Sequence, residues 1–241
     1  MAVFKNQVAV VTGASSGIGK AIALELAASG AKLYLLGRKL DQLLAIAKIA
    51  EETSSQVICH QLDLELDEDI QKFKTRLETD FGQVNLLIHS AGVISLGEIK
   101  TASVEELDWQ YRTNVRAPYA LTQALLPMLI SCQGQIVFIN SSAGLTAKAG
   151  VGQYAATKHA LKAIADSLRS EVNPVGVRVV SVFPGRTASP MQAVICEIEG
   201  KAYNPDRLLQ PEDVAATVIN ALSLPRTAEV TDIHVRPFLK S

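Results

Sequence analysis

The sequence predicts an α/β fold: a doubly wound parallel β-sheet of about seven strands, with helices on both faces. Three observations predict it. Short apolar runs alternate with amphipathic stretches through all 241 residues, the order that builds a covered parallel sheet. The first run, Val8-Ala9-Val10-Val11, shows no polar alternation, as expected of a strand buried on both faces. It leads into Thr12-Gly13-Ala14-Ser15-Ser16-Gly17-Ile18-Gly19 and then an amphipathic stretch. Strand, glycine-rich turn and helix in that order are the setting of a dinucleotide-binding loop.

The remaining strands are expected near Leu33–Leu36, Val57–Leu62, Leu86–His89, Ile136–Ile139, Val177–Phe183 and Ile233–Val235. Helices are expected over Ala21–Ala28, Asp41–Glu52, Glu68–Thr79, Glu105–Leu129, Gln153–Val172 and Pro211–Leu222. The last opens with Pro at its first position and acids in its first turn. Right-handed crossovers gather the strand C-termini on one edge. Thr12–Gly19, His89–Gly92, Ser141 and Pro184 all follow strand ends, so they converge there from distant parts of the chain. The whole chain, 1–241, reads as one dinucleotide-binding domain.

In the glycine loop, Gly13 permits the tight turn, and Gly17 and Gly19 allow close backbone approach and helix packing. The free N–H groups at the helix start, with Ser15, Ser16 and Ile18 around them, would face a pyrophosphate. The end of the second strand selects the dinucleotide. An acid there binds a ribose 2′-hydroxyl, but this chain has Gly37-Arg38-Lys39. A guanidinium makes a forked contact with a 2′-phosphate, so the reading is NADP(H) in preference to NAD(H).

Tyr154 and Lys158 stand four residues apart in Tyr154-Ala155-Ala156-Thr157-Lys158, after Ser141. On a helix they share a face. A free phenol, with a pKa of about 10, is a poor proton shuttle at neutral pH. Lowering it to about 7 needs roughly 4 kcal/mol, which a cation about 4 Å away supplies at an effective dielectric of 20. The pair is therefore expected to make Tyr154 a general acid or base.

With these residues the chain resembles the short-chain dehydrogenase/reductase family over nearly its whole length. The glycine loop resembles the family's T-G-x-x-x-G-x-G pattern, and Tyr154 with Lys158 its Y-x-x-x-K pair. Ser141 stands at the family's usual distance before the tyrosine. Asn114, in Thr113-Asn114-Val115, is similar to the family's active-site asparagine. Pro184-Gly185 followed by Thr187 is similar to its P-G-x-x-T turn. The resemblance implies a Rossmann-type fold and hydride transfer between the nicotinamide and a carbonyl/alcohol substrate. It implies that Tyr154 moves the proton, Lys158 lowers the phenol pKa and holds the nicotinamide ribose, and Ser141 holds the substrate oxygen. Ser142 is a rival for Ser141's role. Asn114 would anchor a water relaying protons to Lys158. Asp63 and Leu64 would meet the adenine, Ser90, Ala91 and Gly92 would border the cofactor, and Pro184, Gly185 and Thr187 would hold the carboxamide. His89-Ser90 replaces the family's usual Asn-Asn. His89 is read as structural, with Ser90 and His89 taking over hydrogen bonds between neighbouring strands.

Composition narrows the function classes. The net charge of −1 argues against electrostatic capture of nucleic acid or acidic membranes, and sparse aromatics argue against base-stacking platforms. Cys59, Cys132 and Cys196 show neither metal nor redox spacing, and His60, His89, His159 and His234 lack ligand spacing, so no metal is expected. No apolar run approaches the roughly 18 residues needed to cross a bilayer, and a cytoplasmic protein is expected.

Thr187 to Gln210 is the longest irregular stretch. It reads as a short helical lid with Met191, Val194, Ile195, Ile198 and Tyr203 facing inward, or else as a loose surface loop. Ala120, Ala124, Ala155, Ala156 and Ala163 permit close helix approach, and the resemblance implies a homodimer or homotetramer. Beside the oxidoreductase stand two other readings: a non-catalytic dinucleotide sensor on the same fold, and a different Rossmann-like enzyme such as a methyltransferase. The substrate class beyond carbonyl or alcohol is not encoded in any charged cluster.

Overall fold

In the computed structural model, which describes residues 3–239, seven strands form one parallel sheet in the order β3-β2-β1-β4-β5-β6-β7. The strands are β1 (Val8–Thr12), β2 (Lys32–Gly37), β3 (Val57–Gln61), β4 (Leu86–His89), β5 (Gln135–Ile139), β6 (Arg178–Pro184) and β7 (Asp232–Val235). The strand order reverses between β1 and β4, which opens a crevice beyond the strand C-termini.

The unalternated apolar runs have a direct cause. Ala9, Val11, Leu33 and Leu35 face one core, while Val8, Val10, Tyr34 and Leu36 face another. The first core is closed by α1 (Gly17–Ala28), α2 (Leu40–Ala50) and α8 (Pro211–Leu222), through Ile22, Leu26, Leu43, Val214 and Val218. The second is closed by α3 (Asp67–Asp80), α5 (Ala117–Ser131) and α6 (Gly152–Val172), through Phe73, Leu77, Leu121, Leu125 and Leu161. Both faces are buried, so Val8–Val11 carry no polar residue, and the one polar residue of β1 is Thr12 at its end.

One expected helix is broken. In place of a single helix over Glu105–Leu129, α4 (Val104–Tyr111) passes into a π-helical turn at Arg112–Arg116 before α5 begins. Pro118 has no N–H to give the carbonyl four residues earlier, that of Asn114, so a regular α-turn cannot close there. The wider turn bonds the Ala117 N–H to the Arg112 carbonyl instead. Such turns are frequent at functional sites, and this one holds Asn114.

The stretch from Thr187 to Gln210 has the expected helix but departs from expectation in which residues face inward. It contains a nine-residue helix, α7 (Pro190–Ile198). Its two ends are pinned by paired backbone bonds, Leu209 N–H to the Arg186 carbonyl and Ala188 N–H to the Leu209 carbonyl. Not all its apolar residues face inward. Met191 and Ile195 line the crevice, Gln192 and Cys196 are buried, and Val194 and Ile198 are exposed. Pairs four apart share a face, so a helix with apolar residues on two faces turns one of them to solvent.

Candidate active site

The crevice above the sheet is a cleft of about 1450 Å³. Gly13 and Gly17 adopt positive φ of 65° and 52°, the region that favours glycine. A Cβ on Gly13 would sit 2.8 Å from the Ala91 nitrogen, and one on Gly19 would sit 2.4 Å from the Gly13 carbonyl oxygen. The loop therefore closes only with glycine at both places. Ser16 caps α1 without a side-chain hydrogen bond to the helix, so the first N–H groups of α1 face the cleft unclaimed by a capping side chain. Thr12, the first residue of the loop motif, fastens the loop to the chain that follows β4. Its hydroxyl accepts from the Ser90 and Ala91 N–H groups at 3.0 and 3.1 Å. A glycine-walled cradle at a helix start fits a dinucleotide pyrophosphate.

Ser15, Ser16, Ile18, Arg38, Asp63, Leu64, Ser90, Ala91, Gly92, Ser141, Tyr154, Lys158, Pro184, Gly185 and Thr187 all line the same cleft, with Gly13 and Gly17. Gly19 and Asn114 do not. Gly19 is buried behind the loop, and Asn114 is buried beneath the floor. At the end of β2 Arg38 is exposed, and among the described residues neither Arg38 nor Lys39 is engaged in an ion pair. Asp63 accepts from the Glu65 N–H at 3.0 Å, which orders its turn.

At the opposite end, Lys158 is buried and its Nζ donates to the Ile139 carbonyl at 3.1 Å. The Nζ lies 5.7 Å from the centre of the Tyr154 ring. Burial pushes the Tyr154 phenol up to about 12, with a hydrogen bond to Ser141 acting in the opposite direction. Burial likewise pulls the Lys158 ammonium down to about 8. This corrects the expectation that Lys158 brings the phenol to neutrality. Desolvation of the phenolate is the largest cause, and the Lys158 ammonium is turned to the Ile139 carbonyl. In the free protein the proton rests on Tyr154.

Ser141 is placed by Asn140, a residue the sequence reading missed. Asn140 Oδ1 accepts from the Ser141 N–H at 2.8 Å, and its Nδ2 donates to the Lys158 carbonyl at 3.0 Å. The serine loop is thus tied to the helix that carries Tyr154. Ser142, the rival serine, is exposed, whereas Ser141 hydrogen-bonds the phenol. Thr187 turns its hydroxyl back to the Gly185 carbonyl at 3.1 Å. Ser189, two residues on, also lines the cleft and caps α7 by accepting from the Gln192 N–H. His89 does not bond between strands as expected. Its Nε2 meets the Thr122 hydroxyl of α5 at 2.8 Å and its ring stacks on Phe138 at 4.8 Å. It is buried away from the cleft.

The family model described as "short chain dehydrogenase" matches residues 7–199. The chain belongs to the short-chain dehydrogenase family. An uncharacterized oxidoreductase of Staphylococcus aureus is 34% identical to this dehydrogenase over 240 residues, covering 98% of this chain and 100% of the relative. One from Staphylococcus epidermidis is 32% identical over 238 residues, with the same coverage of both. Among solved structures, an alcohol dehydrogenase from the archaeon Thermococcus sibiricus, complexed with 5-hydroxy-NADP, superimposes with a TM-score of 0.88 at 28% identity, covering 98% of both chains. A metagenomic short-chain oxidoreductase in complex with NADP gives a TM-score of 0.85 at 31% identity, covering 99% of this chain and 100% of that one. The protein is therefore an oxidoreductase of this family, and no helix among its described residues is long and apolar enough to cross a membrane.

Proposed function

We propose that this short-chain dehydrogenase uses NADP(H) to interconvert a carbonyl compound and its alcohol, with Tyr154 as the general acid and base. The observation that carries the reading is the placement of Ser141, Tyr154 and Lys158 on the wall of the cleft that begins at the glycine loop. The bound dinucleotide supplies or accepts the hydride. Ser141 holds the substrate oxygen with its hydroxyl, a fixed donor where negative charge grows. Tyr154 gives its proton to that oxygen in reduction and removes it in oxidation. A phenol that keeps its proton at neutral pH is suited to the donating role. Lys158 keeps a positive charge beside the developing phenolate. The Thr187–Gln210 segment, pinned at both ends and carrying Met191 and Ile195 on the cleft wall, serves as the lid that excludes water.

NADP(H) is favoured over NAD(H) by exposed Arg38 and Lys39 beside the adenosine end, where no carboxylate among the described residues engages them. The two structural relatives bound to NADP or 5-hydroxy-NADP support that preference. Tyr154→Phe tests the chemistry. Removing the general acid should lower kcat by about 10²–10⁴-fold, while NADPH binding, followed by fluorescence, stays within a factor of about two. A variant that turns over at the parent rate removes Tyr154 from the mechanism. A parent that binds NADPH but reduces no member of a panel of ketones, quinones and acyl thioester ketones favours the sensor reading.

A further inference from the structure

Tyr154 occupies a weak part of its helix. Gly152 is the first residue of α6, so the tyrosine lies in the first turn. Val151 in the cap position supplies no side-chain hydrogen bond, and Gly150 ahead of it has φ of +75°. An uncapped first turn frays. A proton donor must nevertheless hold its place to within a fraction of an ångström.

Two hydrogen-bonded rungs cross from the β4–α4 loop, through α4 and the π-helical turn, to the start of α6. In the lower rung, Asn114 Oδ1 accepts from the Val93 N–H at 2.8 Å. Its Nδ2 donates to the Val93 carbonyl at 2.8 Å and to the Thr157 hydroxyl at 3.1 Å. That hydroxyl donates to the Tyr154 carbonyl at 2.8 Å. In the upper rung, Gln110 Oε1 accepts from the Ser95 N–H at 3.0 Å, and Gln110 Nε2 donates to Gln153 Oε1 at 3.1 Å. Gln153 Nε2 donates to the Ser103 carbonyl at 2.7 Å. The spacings match the local structure. Residues 93 and 95 alternate along an extended chain, while 110 and 114, like 153 and 157, are one helical turn apart. The intervening Ile94 and Leu96 face the cleft.

The direction of the upper rung is forced at both ends. A backbone N–H can only donate to Gln110, and a backbone carbonyl can only accept from Gln153. Gln110 is wholly buried, so its amide is held in one orientation by these partners.

We infer that Gln110 and Gln153 are positioning residues that lock the first turn of α6 and so set Tyr154 against Ser141 and the substrate wall at Ile94 and Leu96. The inference rests on Tyr154 being the proton donor. The rung substitutes for the missing helix cap and couples the wall loop to the catalytic helix. It touches neither the glycine loop nor Arg38, so its loss acts first on kcat, while the contacts of those two parts of the cleft are kept.

Three variants test it: Gln153→Met, Gln110→Met and the double variant. Gln153 is only partly buried, so its variant folds even if the core substitution at Gln110 does not. The expected result for Gln153→Met is a fall in kcat on the order of ten-fold, well beyond any weakening of NADPH binding. Faster hydrogen exchange over 155–158 should accompany it. The double variant should be no slower than the slower single variant, because the two side chains act through one rung. A kcat within two-fold of the parent overturns the inference. So does a kcat that falls only in step with cofactor affinity and melting temperature, or losses that add in the double variant. Tyr154→Phe is measured alongside: if it stays active, the reading of Tyr154 fails; if it is inactive while Gln153→Met is unimpaired, only the rung fails.

Discussion

At Tyr154 and His89, the cost of burying charge decides the chemistry. The spacing of Tyr154 and Lys158 was readable, but the sign of the phenol shift was not. It depends on how deeply the phenol lies and on Lys158 Nζ bonding the Ile139 carbonyl, neither of which a four-residue spacing contains. His89 is the simpler case. Burial holds its ring neutral, with the pKa pulled down to about 3, against about 6.5 in the unfolded chain. Between those values the unfolded state binds the extra proton, so this residue's contribution to stability is complete above pH 6.5 and is lost as pH falls. Urea unfolding of the parent should show stability dropping by up to about 1.4 kcal/mol per pH unit below 6.5 from this group. His89→Asn should flatten the slope between pH 5 and 6.5. An identical slope in parent and variant would assign the acid sensitivity to other groups.

Among the elements, the helix and strand centres were legible and the interruptions were not. Val8–Thr12, Leu86–His89 and Pro211–Leu222 follow from apolar runs and cap residues. The π-helical turn at Arg112–Arg116 was hidden inside an apolar periodicity that continues across it, and Pro118 was the signal that could have exposed it. The rungs through Gln110 and Gln153 were invisible, because they join segments that only the fold brings together. The Thr187–Gln210 segment was half legible: a helix was expected, but α7 turns Val194 and Ile198 outward. Arg186 pairs with Glu199 at the end of α7, a third tie besides the two backbone bonds to Leu209. A segment tied in this way and forming a cleft wall should resist proteolysis more when the cleft is filled. Limited proteolysis is expected to cut within 199–204 in the free enzyme and more slowly with NADPH and substrate. Cutting at the same rate in both states would mean that the segment does not close over ligand.

Across the whole molecule, function follows from topology. Parallel strands and a reversal of order between β1 and β4 bring Gly13, Ser90, Ser141 and Pro184 to one edge, and that convergence was legible because each stands at or just after a strand end. Such a site links cofactor binding to global stability, because the unfolded chain has no cradle. A ligand at 100 times its dissociation constant adds about 2.7 kcal/mol to folding. For a domain of this size that raises the melting temperature by roughly 5–10 °C. NADPH should therefore raise the melting temperature more than an equal concentration of NADH. The difference should come from Arg38, since a hydrogen bond between a guanidinium and a phosphate is worth about 1.5–3 kcal/mol. Arg38→Asp removes that contact and sets a carboxylate against the 2′-phosphate, while offering a partner to a 2′-hydroxyl. The NADPH-induced shift should then shrink by several degrees, with the NADH-induced shift preserved or increased. Thermal scans of parent and variant across both dinucleotides measure this directly. Equal losses for the two cofactors would place Arg38 outside the ribose contact and leave the glycine loop as the determinant of binding.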